Sequence, residues 1–226
     1  TFFASRGWID LRCMSGEPGE EYRESLDSLG ELLAVSGFTK AVLMPNTKPA
    51  IQTKNEVQYV QSKASGWITD LVIQAAATKD CKGEDFTDIL DLHHEGVFVY
   101  GDGTHPISNP DRLLKILQYL QKFGGLLFDQ TYDPYLSLFG QMHEGVASTR
   151  LGMKGIPNLS EEIAVHRNLE ILKYAGGKLH LQTISTKGAV DKIREAKKAM
   201  EKAAKDLDFM QAAKFRDEIK ALQDRM

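Results

Sequence analysis

The chain has 226 residues, 42% of them hydrophobic and 26% charged, which is the composition of an ordinary globular protein. Its formal net charge of −3 gives no reason to expect direct binding to nucleic acid or to an anionic membrane. No apolar run is long enough to span a membrane, and the two cysteines are too few for a disulfide framework, so we expect a cytoplasmic protein with reduced thiols.

Short apolar segments alternate with amphipathic ones along the chain, and each apolar segment is predicted to be a strand buried on both faces. The predicted strands are 7–11, 39–44, 70–76, 96–100, 125–129 and 178–184. The predicted helices are 21–36, 55–64, 86–95, 109–122 and 160–174, with a further helix beginning near residue 187. Six β-α units in this order favour a parallel α/β sheet with right-handed crossovers, either doubly wound or a barrel. A complete TIM-type barrel needs about 250 residues, so we predict a partial (β/α) barrel of about six units.

The composition changes near the C-terminus. Residues 189–226 contain no glycine and no proline and are rich in alanine, lysine and acidic residues. Apolar residues follow helical spacing on both sides of Leu207-Asp208-Phe209. This pattern predicts an αα-hairpin over residues 199–226, separate from a domain at residues 1–198.

Several short stretches in the first domain occur in an order and at spacings that are typical of one enzyme family. They are Asp10-Leu11, Glu17–Tyr22, Gly37–Thr39, Met44–Thr47, Asp102-Gly103, Asp129, Asp133-Pro134, Glu144-Gly145, Arg150–Gly152, Gly155–Pro157, Glu161–Val165, Leu179–Leu181 and Ser185-Thr186. On these stretches, residues 1–198 resemble the dihydroorotases of the cyclic amidohydrolase superfamily. The resemblance implies a metal-dependent (β/α)₈ barrel that interconverts carbamoyl aspartate and dihydroorotate in pyrimidine biosynthesis.

The resemblance also identifies the positions at which the family holds its metal. Zinc lowers the pKa of a bound water, and two histidines at the end of the first strand belong to the ligand set. Those two positions are Arg12 and Met14 in this chain, and strand alternation would point both into the barrel mouth. A guanidinium has no free lone pair for zinc, and a thioether is a poor zinc ligand.

The other family positions have changed as well. The histidines of strands five and six correspond to Gln130 and Thr183, and the arginine that would hold a substrate carboxylate corresponds to Gly16. Of the catalytic set, Asp102 remains as a remnant metal carboxylate and Asn46 as a position that would bind a substrate amide. The resemblance is therefore closest to homologues that lack the metal-binding histidines, some of which serve as non-catalytic partners of aspartate transcarbamoylase.

Arg12 has a second interpretation. A buried carboxylate without a partner is costly. We hypothesise that the guanidinium of Arg12 replaces the charge of the metal beside Asp102 and Asp10.

The C-terminal hairpin resembles the UVR motif, a helical hairpin of excision-repair proteins and of some protease-associated chaperones that mediates protein–protein contact. The positions that would form its interaction surface are Leu207, Phe209, Ala212, Ala213, Arg216, Ile219 and Leu222. Two short helices bury too little apolar surface to be stable alone, so a partner is expected. The expected partners are a second copy of the chain, an aspartate transcarbamoylase-like protein or another UVR-motif protein.

Together these patterns predict a dihydroorotase-like protein that is metal-free and catalytically inactive and has a scaffolding or assembly role. Two alternatives stay open. The first is an active zinc-dependent dihydroorotase whose missing ligands come from elsewhere. The second is a repair-linked interaction adaptor that acts through the hairpin.

Overall fold

The computed structural model describes residues 5–202 together with residues 204 and 205. Within these residues the strands are β1 (Trp8–Cys13), β2 (Phe38–Leu43), β3 (Asp70–Ala75), β4 (Val99–Tyr100), β5 (Leu126–Gln130), β6 (Met142–His143), β7 (Gly155–Ile156) and β8 (Leu179–Gln182). The helices are α1 (Leu26–Val35), α2 (Lys54–Ala64), α3 (Ile89–His94), α4 (Pro110–Gln121), α5 (Val146–Leu151) and α6 (Asn158–Ala175). A further helix, α7, begins at residue 187 and is described through residue 202.

Six of these strands form one parallel sheet in the order β1-β2-β3-β4-β5-β8. Helices connect successive strands, as parallel pairing requires, and the sheet has the form of a half-barrel. Strands β6 and β7 form a separate two-stranded parallel pair. The predicted class, a partial TIM-type barrel of six β-α units, is confirmed.

Apolar side chains cover both faces of the sheet. The larger cluster lies between the sheet and its helices, and its members include Leu26, Leu33, Leu43, Val57, Ile73, Tyr100, Ile116, Leu120 and Leu127. The opposite face carries a smaller buried cluster of Val42, Val99 and Phe128. Successive residues of a strand point to opposite faces, so Val42 and Leu43 serve different layers. This double burial explains why the strands are short continuous apolar runs.

The predicted helix at residues 21–36 begins too early. Helix α1 starts at Leu26, and Ser25 is its N-cap, because the Ser25 hydroxyl accepts a hydrogen bond from the backbone N–H of Ser28 at 3.1 Å. The preceding residues form a turn in which the N–H of Glu20 donates to the carbonyl of Gly16 at 2.6 Å.

The predicted elements around the fourth strand are too long. Helix α3 covers only Ile89–His94, and Phe86 forms an isolated antiparallel bridge with Thr78 instead. Strand β4 has only two residues, because the N–H of Val97 donates to the carbonyl of Leu92 and closes the end of α3.

A compact excursion separates β5 from α6. It covers residues 131–157 and contains β6, α5 and β7, and none of these three elements is predicted above. Two-residue strands have no measurable periodicity, so pattern analysis does not detect them.

The predicted hairpin at residues 199–226 lies outside the described residues, except for 199–202 and 204–205, and its boundary with residues 1–198 stays a prediction. Among the described helices, none is both long enough and apolar enough to cross a membrane.

Candidate functional site

The candidate residues lie at the carboxyl ends of the parallel strands, where this class of fold places its active sites. At the end of β5 and β8, Gln130 pairs in register with Gln182. The side-chain amide of Gln130 donates a hydrogen bond to the hydroxyl of Thr183, with 2.5 Å between Nε2 and Oγ1. The structure thus brings together the two positions to which the family resemblance assigns histidines, and here their side chains form a hydrogen bond.

Strand β1 departs from the regular alternation that the sequence analysis assumes. Asp10 pairs with Ala41 and Cys13 pairs with Leu43, so three residue steps along β1 correspond to only two along β2 and the register shifts. Such a bulge changes the direction of the side chains around it. Cys13 packs into the core cluster beneath the helices, whereas Met14 is 45% exposed.

The hypothesised ion pair of Arg12 with Asp102 and Asp10 is not formed. Among the described residues, no carboxylate lies within 4.0 Å of the Arg12 guanidinium, and its Nε atom is buried without a hydrogen-bond partner. The contact between Arg12 and Asp10 is a different one, since the backbone N–H of Arg12 donates to Asp10 Oδ1 at 2.8 Å.

Asp102 follows β4 and is almost completely buried. Its Oδ1 accepts hydrogen bonds from the backbone N–H groups of Ala77 and Thr78, at 3.1 and 2.9 Å, and its Oδ2 accepts from the Thr78 hydroxyl at 2.5 Å. Burial raises the pKa of Asp102 to about 6, against the lowering effect of the Thr78 hydrogen bonds, and the nearby Asp129 carboxylate adds to the rise. Both oxygens of Asp102, which was predicted to be a remnant metal carboxylate, therefore accept hydrogen bonds from protein donors.

Asn46 is held in the same region by the loop that follows β4. Its side-chain carbonyl accepts from the Thr104 N–H at 2.9 Å, and its amide donates to the backbone carbonyl of Asp102 at 3.1 Å. Gly103 has a positive φ of 62°, and a Cβ there would lie 1.7 Å from Asn46 Oδ1, so only glycine permits this contact. Asn46, predicted as a substrate-binding amide, acts here as a link between two loops.

Gly16 is enclosed by its own loop. Its N–H donates to the Glu24 carbonyl at 2.8 Å, and its carbonyl accepts from the Glu20 N–H at 2.6 Å. A Cβ at position 16 would lie 2.1 Å from the Glu20 carbonyl oxygen. This loop conformation therefore excludes the arginine side chain that the family resemblance implies at position 16.

The donor set at the family positions does not fit zinc. A carboxylate, an imidazole or a thiolate is needed at each protein ligand position, and Arg12, Met14, Gln130 and Thr183 offer none of these groups. Within the described part of the chain, no group of three or more histidine, cysteine, aspartate or glutamate side chains is placed to hold a metal ion.

A buried polar network surrounds Asp129 of β5. It was not predicted from the sequence. Asp129 is almost fully buried, and its carboxylate accepts from the Ile107 N–H at 3.0 Å and from the Asn168 amide at 2.6 Å. Arg167 donates to Asn168 Oδ1 and to the backbone carbonyls of Ser108 and Ile107. Burial raises the pKa of Asp129. In the sequence, Asp129 is notable only as one of the residues that carry the family resemblance. Nothing in the sequence around Arg167 and Asn168 predicts that they join this network.

Two further buried amides lie on the sheet strands themselves. Gln74 of β3 and Gln182 of β8 are buried, and neither amide has a hydrogen-bond partner. The Gln74 amide lies over Gly101, where a Cβ would be 2.6 Å from its Nε2. A polar residue inside an apolar strand is the sequence signal that could have identified both residues.

Comparison with known proteins places this arrangement in a family. The model of the family described as Dihydro-orotase-like matches residues 5–189. The chain belongs to the dihydroorotase-like family. The resemblance drawn from the sequence is therefore confirmed, and the match includes every mouth position described above.

The curated relatives of this family member include a dihydroorotase from Thermoanaerobacter sp. (strain X514), which is 38% identical over 193 residues. Another is a dihydroorotase from Desulfotalea psychrophila (strain LSv54 / DSM 12343), which is 32% identical over 192 residues. The two alignments cover 84% and 85% of this chain but only 44% and 46% of the relatives. The chain thus spans less than half the length of the curated relatives that it matches.

Solved structures show the same fold. The L-hydantoinase (dihydropyrimidinase) from Arthrobacter aurescens superposes with a TM-score of 0.66 at 19% identity, over 86% of this chain and 45% of that protein. The dihydroorotase from Saccharomyces cerevisiae, solved in complex with 5-fluoroorotic acid, gives a TM-score of 0.57 at 14% identity, over 86% of this chain and 52% of the yeast protein.

A second family model matches the C-terminal part of the chain. The UvrB/uvrC motif covers residues 191–225, which confirms the resemblance noted for the hairpin. The first residues of this match lie in α7, which is helical without a break from residue 187 to residue 202.

Proposed function

We propose that this member of the dihydroorotase-like family is a metal-free, non-catalytic protein with a role in assembly. Hydrolysis or formation of a cyclic amide at neutral pH requires an activated water, which zinc supplies in this kind of chemistry. The proposal assigns the mouth of the half-barrel a structural task in place of that reaction.

The observation that carries the proposal is the hydrogen bond between Gln130 and Thr183. The family resemblance assigns histidines to these two positions, and here the Gln130 amide donates one hydrogen bond to the Thr183 hydroxyl at 2.5 Å. An amide and a hydroxyl paired in this way hold β5 and β8 together, as cross-strand polar pairs do. The engaged carboxylate of Asp102 and the enclosed Gly16 support the same conclusion, because neither is free to act on a substrate.

The identity of 38% to a protein named dihydroorotase favours a second candidate function. In this alternative the chain is an active zinc-dependent dihydroorotase that takes its missing ligands from another polypeptide. The relevant chemistry would then be the interconversion of carbamoyl aspartate and dihydroorotate.

Two measurements on the purified full chain separate these candidates. The first is the zinc content per chain after dialysis against a weak chelator, and the second is a carbamoyl aspartate cyclisation assay with and without added zinc. We expect far less than one zinc per chain and no turnover above the uncatalysed rate. Stoichiometric zinc together with turnover would establish the second candidate instead.

The assembly role is supported by the match of residues 191–225 to the UvrB/uvrC motif. In this role the partner is a second copy of the chain, an aspartate transcarbamoylase-like protein or another UVR-motif protein. If binding through the UVR-like motif is the main activity, the protein is a repair-linked adaptor. Affinity capture with the intact chain and with a Phe209→Glu variant tests the motif, since a charge on the apolar stripe should abolish contacts made through it. Capture that is unchanged by this variant would rule out the adaptor.

A further inference from the structure

We draw no further inference here: the strongest candidate, the cavity of about 460 Å³ between the excursion after β5 and the first turn of α6, carries nothing because its carboxylate, Glu161, is already hydrogen-bonded by Ser185 and Thr186 and, among the described residues, no buried side chain without a hydrogen-bond partner lines it.

Discussion

The hydroxyl of Thr78 lies 2.5 Å from Oδ2 of Asp102, a carboxylate that is almost fully buried at the end of β4. Together with the two backbone N–H groups on Oδ1, this contact gives Asp102 three donors. Even so, burial outweighs the donors and raises its pKa to about 6. The carboxylate of Asp102 is chemically suited to bind a metal, but here its hydrogen bonds link the end of β4 to the loop after β3.

The raised pKa of Asp102 makes stability depend on pH. Its ordinary value is 3.8, so the folded state binds the proton more tightly than the unfolded state. The contribution to stability is present below about pH 4 and is lost as the pH rises through about 6, by at most about 3 kcal/mol. An Asp102→Asn variant keeps an acceptor for the two backbone N–H groups but cannot ionise. We expect urea unfolding between pH 4.5 and 8 to show a smaller pH slope for this variant than for the parent. Asp85→Asn, at an exposed position, is the control, and a variant slope equal to the parent's would contradict the assignment.

Position 16 tests how tightly the loop after β1 is packed. A Cβ there would lie 2.1 Å from the carbonyl oxygen of Glu20, which is backbone and cannot rotate away. We expect Gly16→Ala to lower the free energy of unfolding by about 1–3 kcal/mol, the usual cost of forced overpacking. Gly66→Ala is the matched control, since a Cβ at Gly66 meets nothing within 4 Å. If both changes were neutral, the loop would adopt another conformation in solution and could accommodate the family arginine.

The contact between Gln130 and Thr183 can be tested by restoring the family residues. Two imidazoles at these positions would be close enough to share one divalent ion. We expect the double variant Gln130→His/Thr183→His to be stabilised by millimolar zinc, with a melting temperature that rises in a concentration-dependent way. A dissociation constant of about 10 μM would give about 2.7 kcal/mol at 1 mM zinc. The two single variants serve as controls, and a double variant that responds no more than they do would show that the side chains diverge.

Glu161 fixes the beginning of α7. Its carboxylate accepts hydrogen bonds from the backbone N–H and the hydroxyl of both Ser185 and Thr186. Although partial burial raises its pKa, the donors from Thr186 and Ser185 prevail and the pKa of Glu161 is lowered. We expect Glu161→Ala to cost about 1–3 kcal/mol and to increase hydrogen exchange in the first turn of α7. Because the folded pKa is lowered, this stabilisation is present above the ordinary pKa of 4.5 and fades as the pH falls below it. Glu170→Ala, at an exposed position on α6, should leave both measurements unchanged.

The parallel sheet and its helices could be predicted because their signals are local. Apolar runs such as 39–44 are buried on both faces, and Ser25 and Asn109 cap helices through their own side chains. The excursion after β5 could not be predicted, because its shape depends on the contact of Asp133 with Ser160, far apart in the sequence.

The family positions could be found from sequence, but their present contacts could not. Gln130 and Thr183 lie where the resemblance implies histidines, which predicts the loss of two zinc ligands, and nothing local predicts that the two side chains bind each other. The hypothesis for Arg12 was wrong because the partner of Asp102 is Thr78, a residue on a different β-α unit with no charge to attract attention. The bulge in β1 also depends on pairing with β2, which alternation within one strand does not reveal.

The unbroken course of α7 joins the two family matches without a flexible linker. The Dihydro-orotase-like match ends at residue 189 and the UvrB/uvrC match begins at residue 191, both inside a helix that starts at residue 187. An α-helix turns about 100° and advances about 1.5 Å for each residue. The direction that each side of residues 191–202 faces is therefore set by the number of helical residues between it and Thr186. Removing one residue would rotate these residues by about 100° about the helix axis, whereas removing seven would restore their direction to within about 20° and bring them about 10 Å closer to the sheet.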